Sequence, residues 1–163
     1  MSRGVGERRR AREYALQLLF QLDLAPQGTD EAVSEFWNGK RVADAVRLFA
    51  EHIVSGTMAR RDAIDAMLAS CAHHWRISRM AAVDRNILRL AVYEFLCEPD
   101  TPRIVVIDEA IEIAKKFGND ESGPFINGIL DALRLKLESG EMEVPPEIAE
   151  PSPAALLPVR KTL

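Results

Sequence analysis

Cysteine is nearly absent from this chain: Cys71 and Cys97 are the only two among 163 residues. Each falls inside an apolar helical pattern, and two cysteines cannot build the disulfide framework of a small secreted fold. Both therefore read as small core residues. Histidine is scarce as well, limited to His52, His73 and His74. His73 and His74 lie near Cys71, but neighbouring histidines point about 100° apart on a helix, and no second ligand cluster completes a tetrahedral site. No metal is expected. No apolar run approaches the length that crosses a bilayer, and the arginine-rich start lacks the apolar segment of a secretory signal. Glu7 and Glu13 speak against an organellar presequence, so a cytoplasmic protein without membrane contact is expected. There is no glycine-rich phosphate loop, and no nucleophile, base and orienting group stand at usable spacing. The chain reads as a non-enzyme that needs no cofactor.

What is present is a sharp segregation of charge. Arg3, Arg8, Arg9, Arg10 and Arg12 crowd the first twelve residues, opposed there only by Glu7, in a chain whose formal charge is -4. That start carries about +4 and the remainder about -8. A cationic arm on an acidic body points to a polyanionic partner, of which nucleic acid is the commonest.

The apolar spacing is helical along most of the chain. Ala11, Ala15, Leu18 and Leu22 form one stripe of a first helix, while Leu16 and Phe20 lie on another side of it. Two apolar strips imply a helix clamped between two subdomains or covered by a partner. The stripe arithmetic puts Arg8 on the apolar side, so regular helix is expected to begin after it. A short helix follows around Glu31 to Trp37. Another is marked by Val42, Ala45, Phe49 and Ile53 and ends near Gly56; the next is marked by Ile64, Met67, Leu68, Cys71 and Trp75. Ser78 is the N-cap candidate for a helix reaching Cys97, whose second half is apolar nearly all round, the signature of a central helix. Glu94 inside it reads as a buried acid, paired with an arginine or capping a neighbouring helix.

Thr101 and Pro102 open a further helix, which the β-branched run Ile104 to Ile107 continues because no second strand exists to pair with it. Gly118 is expected as a left-handed cap at its end. Pro124 opens the last helix, with a core face of Phe125 or Ile126, Ile129, Leu133 and Leu137. After Ser139 the helical period is lost, and five of the nine prolines fall between Pro145 and Pro158. The organisation read from this is a basic flexible arm at 1–8, a helical domain at 9–138 and a disordered proline-rich tail at 139–163 that adds little to the core.

Three separated segments in order resemble the NusB family of bacterial transcription antitermination factors. They are Arg8-Arg-Arg-Ala-Arg-Glu-Tyr-Ala-Leu-Gln-Leu-Leu-Phe20, then Val83-Asp-Arg-Asn-Ile-Leu-Arg-Leu-Ala-Val-Tyr-Glu-Phe95, and then Ile107-Asp-Glu-Ala-Ile-Glu-Ile-Ala-Lys-Lys-Phe-Gly118 with Phe125-Ile-Asn-Gly-Ile-Leu-Asp131. The resemblance implies an all-α fold, a compact bundle of about seven helices in two helical subdomains. It also implies binding of the single-stranded boxA element of ribosomal RNA leaders. That binding is shared with NusE, a small-subunit ribosomal protein, in the RNA polymerase antitermination complex. Arg8, Arg9, Arg10 and Arg12 would neutralise phosphates, with Lys115 in the matching lysine position and Glu121, Ser122 and Phe125 at the loop before the last helix. Phe125 is read either as a stacking ring or as core. Gly123-Pro124 stands where some relatives carry a basic or polar pair. Asp84, flanked by Arg85 and Asn86, would meet NusE, or would simply favour the dipole of its helix.

Two other readings are weighed against this one. A similar helical domain precedes the catalytic domain of a ribosomal RNA cytosine methyltransferase family, but this chain has no cofactor-binding α/β domain. A helical protein-interaction scaffold or homodimer, with a nonspecific polyanion-binding arm, is the alternative the sequence leaves open.

Overall fold

The computed structural model describes residues 3–24, 29–73 and 75–149. They form seven longer helices and one short one: α1 Arg3–Leu24, α2 Thr29–Trp37, α3 Asp44–Ala59, α4 Arg61–Cys71, α5 Ala82–Cys97, α6 Arg103–Phe117, α7 Ser122–Glu138 and α8 Pro146–Ala149, with a 3₁₀ turn at Ile77–Arg79. There is no strand among the described residues. The tail beyond residue 149 and the metal-candidate His74 lie outside them.

α5 is the axis of the fold. It packs against α1, α3, α4, α6, α7 and α8. Ten consecutive residues, Asn86 to Phe95, are buried. A helix buried on every side must hold its polar side chains in pairs, since each would otherwise lose its hydration without return. Asn86, Arg89, Tyr93 and Glu94 each have such a partner. α1 is clamped as its two strips imply, against α2 and α3 on one side and α5 and α6 on the other. Ala11, Ala15, Leu18 and Leu22 are buried together with Leu16.

Several boundaries differ from the sequence reading. α1 starts at Arg3, not after Arg8, because Arg8 finds an aromatic ring to cover rather than a hydrophobic core to avoid. α3 passes through Gly56 to Ala59; a Cβ there would come within 2.3 Å of the Tyr93 ring, so this glycine lets α3 and α5 approach rather than ending a helix. Ser78 caps nothing, since it lies in the 3₁₀ turn and α5 begins at Ala82. Pro102, not Thr101, is the cap of α6. Gly118 is extended rather than left-handed, and a side chain there would collide with Ser122 Oγ at 2.4 Å. The last helix opens at Ser122, with Pro124 inside its first turn, and Ile126 rather than Phe125 is its buried residue. Cys71 and Cys97 are only half-buried.

The chain beyond Ser139 also contributes to the core. Gly140 takes a positive φ of 77°, the Met142 N–H donates to the Lys136 carbonyl, and α8 then lays Ile148 into the core at 2% exposure. Arg60 Nε donates to the Ile148 carbonyl.

Candidate nucleic-acid interface

α1 sorts its arginines by helical phase. Successive residues turn by about 100°, so neighbours in sequence face different surroundings. Arg12 points inward, 5% exposed, with its Nε 2.9 and 3.1 Å from the two carboxylate oxygens of Glu94. Burial pushes the Glu94 carboxyl above its ordinary range, and Arg12 pulls against that shift. Arg9 grips Glu109 of α6 through two bonds of 2.8 and 3.0 Å, and these bonds hold the Glu109 carboxyl below the usual carboxylate range. Arg8 is exposed, with its guanidinium 3.8 Å from the centre of the Phe49 ring. Arg10 is exposed and reaches the Tyr14 hydroxyl at 3.4 Å. Of the four arginines expected to hold phosphates, Arg8 and Arg10 present open cations, Arg9 presents a half-covered one, and Arg12 is committed to the core.

The end of α6 and the start of α7 lie on the same side as these cations. Lys116 of α6 bonds Glu13 of α1 at 2.9 Å, and Lys115 bonds Glu112 on its own helix at 3.1 Å. Exposed pairs of this kind are worth little, so both lysines can exchange a carboxylate for a phosphate at small cost. The turn between the helices is tied by its own side chains. The Asn119 N–H donates to Ser122 Oγ, Ser122 Oγ donates to Asn119 Oδ1, and the Glu121 N–H donates to the same oxygen. Ser122 is thereby buried as a staple of the turn, while Glu121 stays exposed. Beside it runs an open groove of about 500 Å³, lined by Ile111, Lys115, Asn119, Asp120, Pro124 and Asn127 among others. Phe125 is half-buried and sits edge-to-face with Trp75, ring centres 5.8 Å apart at 78°.

The expected protein-partner residues lie at the opposite end of the α1–α5 pair. Arg85 bonds Asp23 at 2.9 and 2.6 Å and also donates to the carbonyls of Ile77 and Met80. Asn86 is buried and donates to Asp23 and to the Ala82 carbonyl. Arg89 joins Asp65 through two bonds of 2.8 Å. Burial works against ionisation of Asp23, but the bonds from Arg85 and Asn86 and the charge of Arg89 outweigh it and hold its carboxyl low. Arg85 and Asn86 therefore build the scaffold, and Asp84, half-buried in the first turn of α5, is the one of the three without a partner among the described residues.

Sequence reasoning missed Trp75, which it placed on the core stripe of α4. That helix ends at Cys71, where Ala72 leaves helical geometry, and Trp75 is 58% exposed. It also missed Asp23 and Asp65. Their signal was the pair Arg85 and Arg89, one turn apart on a largely apolar helix, which calls for carboxylates from elsewhere.

Among the described residues no three His, Cys, Asp or Glu side chains cluster as metal ligands would, and no helix is long and apolar enough to cross a membrane. The NusB family model matches residues 9–134. The transcription antitermination protein NusB of Myxococcus xanthus is 45% identical over 138 residues, covering 82% of this chain and 98% of that relative. NusB of T. maritima superposes with a TM-score of 0.72 at 35% identity, over 88% of this chain and 96% of that one. A crystal structure of NusB and NusE in complex with double-stranded RNA contains a chain that superposes with a TM-score of 0.70 at 26% identity, covering 78% and 95%. Three segments in order, an all-helical core around a buried α5, and a match through almost all of that core together assign the chain: it belongs to the NusB family of transcription antitermination proteins, which are not enzymes.

Proposed function

We propose that this protein binds the single-stranded boxA-type RNA of ribosomal RNA leaders jointly with a NusE ribosomal protein. In doing so it helps RNA polymerase pass sites of premature termination, in the cytoplasm where rRNA is made. The observation that carries this reading is the group of cations on the first turns of α1 and the end of α6, with Arg8 and Arg10 exposed, Arg9 half-exposed on Glu109 and Lys115 in a weak surface pair, in a chain of net charge -4. The similar chain bound to NusE and RNA supports both partners. Glu121 and Phe125 border the same surface, Ser122 fixes the turn that presents them, and Asp84 offers a carboxylate for NusE about 15 Å along α5 from the Arg12–Glu94 end. Arg12 enters this reading as a support of α1, not as a phosphate contact.

The test is binding of labelled boxA RNA against a scrambled RNA of equal length, with and without NusE, at several salt concentrations. Preference for boxA that NusE sharpens is the expected result. Three to five phosphate contacts give a log–log salt slope of roughly -2 to -3.5. Equal, steeply salt-dependent binding of both RNAs, indifferent to NusE, would leave only a general polyanion clamp and defeat the reading.

A further inference from the structure

We propose that Trp75, Arg76 and Arg79 form a second subsite for single-stranded RNA, in which one base stacks on the indole and the two guanidinium groups hold its flanking phosphates. The proposal rests on the RNA-binding reading above and extends it past Phe125 onto the segment that joins α4 to α5.

Trp75 is the only one of the ten aromatic residues in the exposed class. Left uncovered, a tryptophan keeps a large apolar face in water, and tryptophan is a residue enriched where proteins meet partners. Among the described residues its ring contact is the edge-to-face pair with Phe125. A contact of that geometry leaves an indole face open to a second planar group.

The charges that flank it in the sequence are of one sign. From Ala66 to Val83 the sequence has no acidic residue, in a chain that carries 25 of them. Arg76 and Arg79 are both exposed, and neither has an ion pair or side-chain hydrogen bond among the described residues, whereas Arg9, Arg12, Arg85, Arg89 and Arg134 each meet a carboxylate. The two share one 3₁₀ turn, in which the Arg79 N–H donates to the Arg76 carbonyl at 2.9 Å. A protein partner docking on Trp75 would favour apolar neighbours, but the exposed side chains beside it are His73, Arg76, Ser78 and Arg79. A ring flanked by unpaired guanidinium groups is instead the surface that single strands use, stacked bases with neutralised phosphates.

The segment is also held in place before any ligand arrives. Trp75 N–H donates to the Ala72 carbonyl, and Arg85 Nη1 donates to the carbonyls of Ile77 and Met80 at 3.2 Å each. A platform already fixed loses less entropy on binding than a mobile loop would.

The chain has only two tryptophans, and Trp37 is buried, so the emission lost on replacing Trp75 by Phe isolates the indole in question. The experiment titrates labelled boxA RNA, with NusE present, into the full chain and into Trp75→Phe, Trp75→Ala and Arg76→Ala/Arg79→Ala variants, following RNA anisotropy and tryptophan emission together. Thermal unfolding of each variant checks that the fold is intact. The subsite is supported if RNA quenches Trp75 emission, Trp75→Ala weakens binding by roughly 5- to 150-fold and Trp75→Phe restores most of it. The double arginine variant should flatten the salt slope by roughly 1.4. RNA binding at full strength with Trp75 emission unchanged and Trp75→Ala equal to wild type overturns the subsite alone. Emission that responds to NusE without RNA, with NusE binding weakened in Trp75→Ala, overturns it in favour of a protein contact. Absence of RNA binding by the wild-type chain, with and without NusE, overturns this subsite and the proposed function together.

Discussion

At one end of the α1–α5 pair, Arg12 bonds, among the described residues, to Glu94; at the other, Asp23 is shared by Arg85, Asn86 and Arg89, and Arg89 passes on to Asp65. The first pair is almost dry, with side chains 6% and 3% exposed, while Asp23 and Asp65 keep some water. Both ends bury charge on the central helix, but they depend on it differently. A lone pair in a dry site stands or falls on one contact, since a deserted charge has nothing else to solvate it. A carboxylate shared among four donor atoms of three residues loses one bond and keeps the others. The dry end sits under the cation row proposed for RNA, and the wetter one under Asp84.

The largest expected effect is at the dry end, and it is asymmetric. Glu94→Ala strands a guanidinium that cannot lose its proton, and should cost about 3–5 kcal/mol in chemical denaturation. Arg12→Ala strands a carboxyl that burial already favours in its neutral form, so it should cost less, and less at pH 5 than at pH 8. Equal, pH-independent costs for the two would show that the site is wetter than its geometry implies.

Asp23→Asn should cost about 1.5–3 kcal/mol at neutral pH, the range for hydrogen bonds to a charged group. Because the Asp23 carboxyl is held below its ordinary 3.8, its stabilisation is full above that pH and fades as the pH falls through the lowered value. The variant should therefore lose part of the acid limb of a stability–pH curve, and an unchanged limb would remove Asp23 from the account. Asp84→Ala should cost only about 0.3–1 kcal/mol through the helix dipole while weakening NusE binding in a pull-down or titration. NusE binding equal to wild type would reduce Asp84 to its dipole role.

Smallest of all for stability is Arg8→Ala with Arg10→Ala, expected within about 0.5 kcal/mol of wild type. The same variant should flatten the RNA salt slope by roughly 1.4, and an unaltered slope would take these two arginines out of the interface.

The helical course of the chain was legible because the apolar periodicity is strong, and Glu94 was legible as a buried acid because nothing near it in sequence could use it chemically. The roles within Arg8–Arg12 were not, since which arginine of a run turns inward depends on what stands opposite, and Glu94 and Glu109 lie 82 and 100 residues away. Trp75 was misread for a related reason: helical spacing carried past Cys71 without a breaker to stop it, and only the turn at Ala72 moves the ring outward. Gly56 and Gly118 gave signals of the right residue with the wrong cause, close approach instead of chain reversal. Ile148 was hidden by the prolines around it, which mark irregular chain without saying where that chain goes.

The separation of 82 residues between Arg12 and Glu94 has a consequence in time. At about 5–20 residues per second, a ribosome makes Glu94 roughly 4–16 s after Arg12, and through that interval α1 has no α5 to lie against. Its whole arginine run stays open to any polyanion nearby, including the arginine that the finished protein conceals. The docking of α5 is thus the step that withdraws Arg12 from solvent, and a chain truncated before Glu94 should be cut by trypsin at Arg12, whereas the released full-length chain should resist there.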